Sequence, residues 1–266
     1  MIVTKTPASD ASLRTAAAAR AVRRPSPPAL NDSLAGILLA EHEDLAARQA
    51  SLVDRLREED RQVVLRHARR RTLQPGELLF VQGDPHDGIV IVDTGRVRSF
   101  YTAPSGREIT LAYWFPGNFI GGPDIFGGGT HMWAAMAVQR TELTTLPGRA
   151  LRELASTIPD LALGLIDALA FKARCYSAVA QMLGTRSISE RLGHLLLFLA
   201  STYGIEEQNG VYIAAPFTHE EIAHLVGSTR QWVTIRLTQL QRAGILQYRR
   251  GMLLIRRPDQ LATGIQ

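Results

Sequence analysis

The chain has 266 residues, of which 45% are hydrophobic, with a formal net charge of +5 and a single cysteine, Cys175. One cysteine excludes an internal disulfide, a structural zinc site built on several cysteines and a four-cysteine iron–sulfur ligand set. Apolar runs fall short of the roughly 18 residues that cross a bilayer, and the N-terminus lacks the apolar core of a signal peptide. The sequence therefore predicts a globular, cytoplasmic protein in which Cys175 is a small apolar residue on a helix.

Residues 1–36 are rich in Ala, Arg, Pro and Ser and carry five Lys or Arg against two Asp. They show no sustained apolar period, and this composition predicts a disordered basic tail that can touch DNA non-specifically. An organelle transit peptide has a similar composition and is the alternative.

Residues 37–158 are predicted to form leading helices and then a β-barrel. Between Ser51 and Arg71 the apolar positions recur at helical spacing. From Gly76 onward, short β-branched and aromatic runs alternate with Gly-Asp, Asp-Gly, Thr-Gly and Ser-Gly pairs. Turn signals at this spacing predict an antiparallel jelly roll, and "AMAVQRTELTTLP" adds a further pair of strands.

Residues 159–186 are predicted to form one long central helix with an extensive apolar stripe. Burial against the barrel explains part of this stripe, and a two-helix dimer seam would cover the rest. Gly184-Thr185 is a predicted hinge. A new amphipathic helix follows, with Ser189 as its candidate cap and Gly204 at its end.

Residues 187–260 are predicted to form a second, smaller unit that contains "FTHEEIAHLVGSTRQWVTIRLTQLQRAGIL". Thr218 and Glu221 have the spacing of a capping box. Gly227 ends that helix, and Ser228 or Thr229 caps the next one. Apolar residues repeat at helical spacing along the second helix, at Val233, Leu237 and Leu240. The pattern is a helix-turn-helix.

The charge around this motif indicates DNA binding. Between Phe217 and Arg257 there are seven Arg and no Lys against two Glu, which equals the net charge of the whole chain. The following "ILQYRRGMLLIRR" predicts a basic β-wing. A concentrated positive field beside a helix-turn-helix is typical of a DNA-binding domain, although an ordinary solvated helix face is the simpler alternative for the second helix alone.

The residue types assign roles within this unit. Base edges in the major groove suit three side chains on the polar face of the second helix: Arg230, Gln231 and Thr234. Phosphate contacts are predicted for helix N-termini and the wing, at Thr218, His219, Ser228, Thr229, Arg249 and Arg250. Trp232 is predicted to pack, and Arg236 to contact phosphate or to pair with Glu220 or Glu221.

A barrel, a long helix and a winged helix-turn-helix in this order resemble the bacterial family of the cyclic-AMP receptor protein and FNR (Crp/Fnr). The matching residues are Gly76, Glu77, Phe80, Gly83, Asp84, Gly95, Val97, Gly106, Arg107, Glu108, Pro116, Gly117, Gly121, Gly227, Arg230 and Val233. The resemblance implies an α+β fold, consisting of an antiparallel β jelly-roll like a cyclic-nucleotide-binding domain, a dimerisation helix and a winged helix-turn-helix. It also implies a homodimeric transcription regulator on a two-fold symmetric DNA operator, with RNA polymerase as a further candidate partner.

Two departures from the family bear on the operator sequence. Relatives commonly carry Glu one residue after the Arg230 position and a second Arg at the position of Ile235. This chain has Gln231 and Ile235 there, so its operator is expected to match the family pattern incompletely.

The sequence of the predicted barrel does not identify its effector. Cyclic-AMP-binding relatives offer a Glu and an Arg-Ser pair, and an ungapped match places Gly122 and Met132-Trp133 at those positions. A phosphate without a cation partner is costly to bury, which argues against cyclic AMP, and the single cysteine argues against iron–sulfur. Haem stays open, with His131 as a weak ligand candidate beside His86, Met132, Met136 and Cys175.

The apolar replacements favour a small hydrophobic ligand between barrel and helix, or a pocket filled by its own side chains. The predicted lining is Gly121, Gly122, Met132, Trp133, Tyr113, Tyr176 and Ser177. An enzyme is not expected, because the sequence has no nucleophile elbow, metal-ligand cluster or Walker loop. A regulatory subunit of an enzyme or channel would predict a phosphate-gripping Arg and no winged helix, the reverse of what the sequence has.

Overall fold

The computed structural model of the chain describes residues 52–213, 217–249 and 252–262. The predicted tail at 1–36, the first part of the leading region at 37–51, and Arg250 in the wing lie outside the described residues.

Ten strands form the β-roll that follows a short first helix, α1 (Glu58–Arg66). The strands are β1 (Arg69–Leu73), β2 (Leu78–Phe80), β3 (Pro85–His86), β4 (Ile89–Thr94), β5 (Val97–Thr102), β6 (Glu108–Trp114), β7 (Phe119–Ile120), β8 (Gly129–Thr130), β9 (Ala134–Ala137) and β10 (Thr141–Leu146). Two four-stranded antiparallel sheets, ordered β1-β10-β4-β7 and β2-β9-β5-β6, and the β3-β8 pair make up the roll. The predicted antiparallel jelly roll is confirmed.

The predicted extent of the first helix was wrong. The helix ends at Arg66, and Arg69–Leu73 instead pairs with β10 in the register Arg70↔Thr144. Four of these five strand residues are exposed. A polar edge strand of this kind has no alternating apolar residues that would mark it as a strand in the sequence. The helix predicted from the upstream spacing therefore ran too far along the chain.

Two helices leave the roll: α2 (Gly148–Thr157) and the long central helix α3 (Pro159–Thr185). One face of α3 enters the roll core, where Phe171 and Cys175 are buried with strand residues such as Trp114. On another face, Leu163 and Ile166 are 60% and 61% exposed. The apolar stripe is thus divided between a buried face and an uncovered one.

No single helix in the described part of the chain combines the length and apolarity of a membrane span, although α2 and α3 together meet that criterion across a 120° bend.

The remaining elements form the unit called here the winged-helix unit. They are α4 (Ile188–Tyr203), β11 (Gly204–Glu207), β12 (Gly210–Ile213), α5 (His219–Val226), α6 (Arg230–Arg242), β13 (Leu246–Arg249), β14 (Met252–Ile255) and α7 (Pro258–Ala262). Their strands form one sheet in the order β11-β12-β14-β13. Helix α4 is capped by Ser187 and not by Ser189 as predicted, because Ser187 forms a reciprocal capping box with Glu190.

The core of this unit extends into the central helix. Val179 and Met182, near the end of α3, are buried together with Leu195, Ile222 and Val233 of the winged-helix unit. Helix α3 therefore contributes side chains to the core of the roll and to the core of the winged-helix unit, and a shift of this helix acts on both.

Candidate nucleic-acid interface and effector region

The turn between α5 and α6 is formed as the sequence predicts. The Thr218 hydroxyl accepts a hydrogen bond from the Glu221 N–H at 3.1 Å, and the Thr218 N–H donates to the Glu221 carboxylate at 2.8 Å. Gly227 ends α5 in the left-handed conformation with φ 66°. A Cβ at Gly227 would lie 3.2 Å from an Arg191 nitrogen and 3.3 Å from Leu183. Backbone conformation and close packing both favour glycine here.

Helix α6 presents one polar face and buries the other. Thr229 caps it by accepting a hydrogen bond from the Trp232 N–H at 3.2 Å. The buried face consists of Val233, Leu237 and Leu240. Arg230, Gln231 and Thr234 are exposed on its first two turns. The structure thus brings the three predicted base-reading residues together on one accessible face.

His219 joins three elements of the winged-helix unit. Its Nδ1 lies 2.8 Å from Thr234 Oγ1, and its Nε2 lies 2.7 Å from the Tyr248 hydroxyl. Because the Thr234 hydroxyl donates to the Arg230 carbonyl at 2.9 Å, it accepts from Nδ1–H, and Nε2 then accepts from Tyr248. The imidazole predicted to contact phosphate is thus engaged within the protein, where it fixes α6 relative to the wing.

The other predicted phosphate contacts differ in accessibility. Thr229 is exposed, whereas Ser228 is only 6% exposed and its N–H donates to the Ala223 carbonyl at 2.9 Å. The Ser228 hydroxyl is therefore not presented to DNA in this arrangement. Arg249 forms an exposed ion pair with Glu207 at 2.8 Å, which is a weak interaction that a phosphate can replace.

Trp232 and Arg236 lie off the exposed face of α6. Trp232 packs against the core of the winged-helix unit, as predicted. The Arg236 guanidinium donates to Gln239 Oε1 at 3.0 Å, a partner one turn along the same helix.

A charged contact joins the winged-helix unit to the roll. Glu108 on β6 accepts a hydrogen bond from the guanidinium of Arg98 at 2.7 Å and lies 3.7 Å from His224 of α5. Burial, and then the Arg98 charge, hold the pKa of His224 below its usual value. Beside this contact, the loop Ser105–Glu108 and the Thr229–Arg230 end of α6 face each other across a cleft of about 470 Å³. Sequence reasoning missed this contact, because no local spacing signals a pair so distant along the chain.

The glycine-rich segment of the roll is organised around two buried histidines. The Gly122 N–H donates to His86 Nε2 at 2.8 Å, and His86 is 3% exposed. His131 stacks on Phe80 with ring centroids 3.5 Å apart and meets His86 edge-on at 4.5 Å. Burial lowers the pKa of His131 to about 4, with a smaller effect from His86. At neutral pH the His131 imidazole is therefore uncharged.

This geometry bears on the predicted haem ligand. His131 is enclosed by Phe80 and His86 and would have to leave this stack to offer a nitrogen to an iron. Among the residues that the structure describes, no group of three or more His, Cys, Asp or Glu is placed to hold a metal ion.

The structure places the predicted effector-lining residues in different surroundings. Trp133 and Tyr176 do pack together, with ring centroids 5.3 Å apart. Met132 is 60% exposed and Ser177 is also exposed. Tyr113 packs instead against the core of the winged-helix unit. The ungapped match placed these residues by sequence alone, but they belong to a strand, to loops and to the central helix, and they meet different neighbours in the fold.

Comparisons with known proteins agree with this architecture. The family profile "Cyclic nucleotide-binding domain" matches residues 70–157, and "Crp-like helix-turn-helix domain" matches residues 190–263. The chain is 28% identical over 198 residues to the CRP-like cAMP-activated global transcriptional regulator of Mycobacterium tuberculosis, covering 72% of this chain and 88% of that one. It is 28% identical over 210 residues to the cyclic AMP receptor protein of Thermus thermophilus, covering 78% and 94%.

Solved structures show the same fold. The c-di-GMP-responsive global regulator CLP of Xanthomonas campestris matches with a TM-score of 0.65 at 21% identity, covering 75% of this chain and 99% of that one. A CooA mutant from Carboxydothermus hydrogenoformans matches with a TM-score of 0.60 at 22% identity, covering 75% and 88%. The β-roll, the central helix and the winged helix-turn-helix together define a DNA-binding transcription regulator. The chain belongs to the Crp/Fnr family.

Proposed function

We propose that this protein is a homodimeric regulator that binds a two-fold symmetric DNA operator and responds to an effector other than cyclic AMP. The observation that carries the proposal is the exposed start of α6, where Arg230, Gln231 and Thr234 share one face while the opposite face is buried. Arg suits guanine and Gln suits adenine in the major groove. Such a protein acts in the cytoplasm, where bacterial DNA is.

The proposed dimer seam is the uncovered face of α3. Leu163 and Ile166 lie three residues apart on this helix and are both more than half exposed. Exposed apolar residues at helical spacing are covered when two copies of such a helix pack together. A two-fold dimer along α3 would place two copies of α6 for two half-sites of one operator.

An effector other than cyclic AMP is favoured by the chemistry of the roll. The Gly122 N–H is taken by His86, and Met132 and Trp133 offer no cation to a phosphate. A bound phosphate without such a cation would lose its hydration uncompensated.

The proposed response is a population shift carried by α3. Phe171 of this helix is part of the roll core and Met182 is part of the winged-helix core, so an effector that moves α3 acts on both. To change the ratio of the two conformational states from 1:99 to 99:1, an effector has to bind one state about 10⁴-fold more tightly than the other. In the arrangement seen here, Arg230 lines the cleft beside the roll loop.

The test compares two arginines of the same helix on an operator selected from random DNA. Arg230→Ala is expected to weaken binding by roughly 1–3 kcal/mol and to relax the preference at one base pair of each half-site. Arg242→Ala, at the exposed last residue of α6 and about three turns beyond the base-reading residues, is the control. It should leave the sequence preference intact, and equal effects of the two variants on preference would contradict the assignment.

An absorption spectrum of the purified full-length protein, with mass spectrometry of extracted material, decides between the alternatives for the effector. A Soret band in the spectrum would support a haem sensor. In separate DNA-binding measurements, the absence of any effector-dependent change in operator affinity would support a constitutive regulator. The buried stack around His131 leads us to expect no haem band.

A further inference from the structure

Lysine is almost absent from this protein. Of its 30 Lys and Arg residues only Lys5 and Lys172 are lysines, so arginine serves nearly everywhere a cation is present. Lys172 is in the middle of α3 and is only 5% exposed. Arginine stays charged in proteins, whereas a buried lysine amine can lose its proton and become a nucleophile. Lys172 is thus buried at a place where that difference counts.

Within the described part of the chain, Lys172 forms no ion pair. Its Nζ has no hydrogen-bond partner among the described residues. It lies 3.7 Å from the centroid of the Trp114 ring and 4.8 Å from that of Phe119. Aromatic faces attract an ammonium, but burial outweighs this attraction and lowers the pKa of Lys172 to about 7. A substantial fraction of the amine is therefore neutral near pH 7.

The neighbouring thiol has only a smaller, opposing effect on the pKa of Lys172. Burial raises the pKa of Cys175, one turn further along α3, to about 11, so the thiol is uncharged at neutral pH. The charged groups that line the same cavity as Lys172 are Arg55 and Asp167, which pair with each other at 3.0 Å.

A small cavity adjoins the amine. Its volume is about 20 Å³, and it is lined by Lys172, Trp114, Phe119, Phe171, Asn118 and Arg55 among others. This volume holds about one water-sized molecule. Its wall includes Asp167, whose side chain is 68% exposed, so the cavity borders solvent. A reagent for this amine has to be very small, and a mostly apolar, aromatic wall favours an uncharged one.

We propose that Lys172 is a carbon dioxide site, at which the amine reacts reversibly with CO2 to form a carbamate. The Nζ lone pair attacks the carbon, an N–C bond forms, and one C=O electron pair moves onto oxygen. A proton leaves Nζ for solvent at the Asp167 side of the cavity. The reaction turns a neutral amine into an anion without any oxidant or cofactor.

The new negative charge has a partner within the cavity. Arg55 pairs with Asp167 across an exposed ion pair, and such pairs contribute little to stability. The guanidinium can therefore exchange this carboxylate for the carbamate at small cost. The carbamate cannot make the contact that the protonated fraction of the amine makes with the Trp114 ring, so the packing of α3 against β6 changes.

The consequence for DNA binding rests on the proposed function, because only a regulator would transmit a change in α3 to α6. Trp114 is the last residue of β6, and Glu108, which contacts His224 of the winged-helix unit, is the first. CO2 would thus be the effector, and the coupling between the two sites would be in the usual range of about 5- to 150-fold.

The decisive experiment traps the carbamate on the full-length protein. The protein is equilibrated with ¹³C-labelled CO2 and bicarbonate at fixed pH and ionic strength, ethylated with a trialkyloxonium salt, digested and analysed by mass spectrometry. The labelled adduct is expected on Lys172 and not on Lys5, and Lys172→Arg should abolish it while Lys5→Arg should not. No adduct on Lys172, or equal labelling of both lysines, overturns the proposal.

Borohydride treatment of the protein as isolated provides a second discriminating result. A reduced alkyl adduct on Lys172 would mean that the amine forms an imine with a carbonyl compound, and it would overturn the assignment to CO2. If Lys172→Arg does not fold, trapping on the unaltered protein still decides, since the site of the adduct is read from its peptide.

Operator affinity with and without CO2 at constant pH tests the regulatory consequence. We expect a shift of at least about fivefold in the natural chain and in Lys5→Arg, and none in Lys172→Arg. Trapping on Lys172 without a shift would overturn CO2 as effector. Failure to bind any DNA would overturn the proposed function, while the trapping result would still decide the carbamate.

Discussion

Glu108 Oε2 lies 3.7 Å from His224 Nε2, across the contact between the roll and helix α5. The same carboxylate oxygen accepts a hydrogen bond from the Arg98 guanidinium at 2.7 Å. Arg98 is 6% exposed, and a buried cation is tolerated only when an anion or strong acceptors compensate its lost hydration. Glu108 thus supports the sheet of the roll and the attachment of the winged-helix unit at once.

Removal of this carboxylate charge is expected to destabilise the protein. In Glu108→Gln the Arg98 cation keeps its Thr110 hydroxyl partner, at 2.9 Å, but loses its anion. We expect the free energy of unfolding in urea to fall by roughly 1–3 kcal/mol, a value reduced from that of a fully buried pair because Glu108 is partly exposed. Glu142→Gln, which removes the exposed Glu142–Arg140 pair, is the control and should cost less than about 1 kcal/mol. Equal losses would contradict the role of Glu108.

The stability of the same contact should depend on pH through His224. Burial, followed by the Arg98 charge, lowers the pKa of His224 below 6.5 in the folded state. The unfolded chain then binds the proton more readily, so the stabilisation by neutral His224 is complete above pH 6.5 and is lost as the pH falls toward the lowered folded pKa. His131 titrates in the same direction, so the comparison has to be between variants.

Urea unfolding of the natural chain and of His224→Gln at pH 7, 6 and 5 measures this effect. The natural chain should lose more stability on acidification than the variant, which cannot titrate at this position. Parallel losses in the two proteins would show that His224 is not responsible.

The uncovered face of α3 yields a prediction about assembly. Glu at both Leu163 and Ile166 would place charge in the proposed seam, where it cannot be solvated. Sedimentation velocity should show the natural chain as a dimer and Leu163→Glu/Ile166→Glu as a monomer. Ile205→Glu is the matched control, because Ile205 is 50% exposed but lies on β11, away from α3. A dimer that survives the double change would place the interface elsewhere.

Local chemistry explains why the helix-turn-helix could be predicted. The Thr218–Glu221 box, the left-handed Gly227 and the buried repeat on α6 each depend on neighbours within a few residues. Signals of this kind are written in the spacing of the sequence. The architecture of the roll could be predicted for a similar reason, because turn residues recur at short intervals in its sequence.

Contacts between distant residues explain what the sequence could not predict. The Glu108–His224 contact joins elements more than a hundred residues apart, and the surroundings of Lys172 come from strands and from the start of the described chain. His219 was assigned to phosphate because it begins a helix, yet Thr234 and Tyr248 approach it only in the folded unit. The predicted effector-lining residues come from a strand, from loops and from the central helix, so which of them meet also depends on contacts between distant elements.

The bridge made by His219 gives the last prediction. Tyr248→Phe removes the hydroxyl that lies 2.7 Å from His219 Nε2 and leaves the ring in place. We expect the free energy of unfolding to fall by about 1 kcal/mol. Operator affinity should fall about fivefold, because the wing is no longer fixed relative to α6, while base preference stays unchanged since no base-reading side chain is altered.

Tyr212→Phe is the control for this change, since Tyr212 is a half-buried tyrosine of the same sheet, on β12, which β14 separates from the Tyr248 strand β13. Fluorescence anisotropy on the selected operator and on variants with single base changes measures affinity and preference together. A loss of base preference in Tyr248→Phe would mean that the wing itself reads the sequence. An unchanged affinity would mean that α6 is positioned without the hydrogen bond from Tyr248, by the packing of Val233, Leu237 and Leu240 alone.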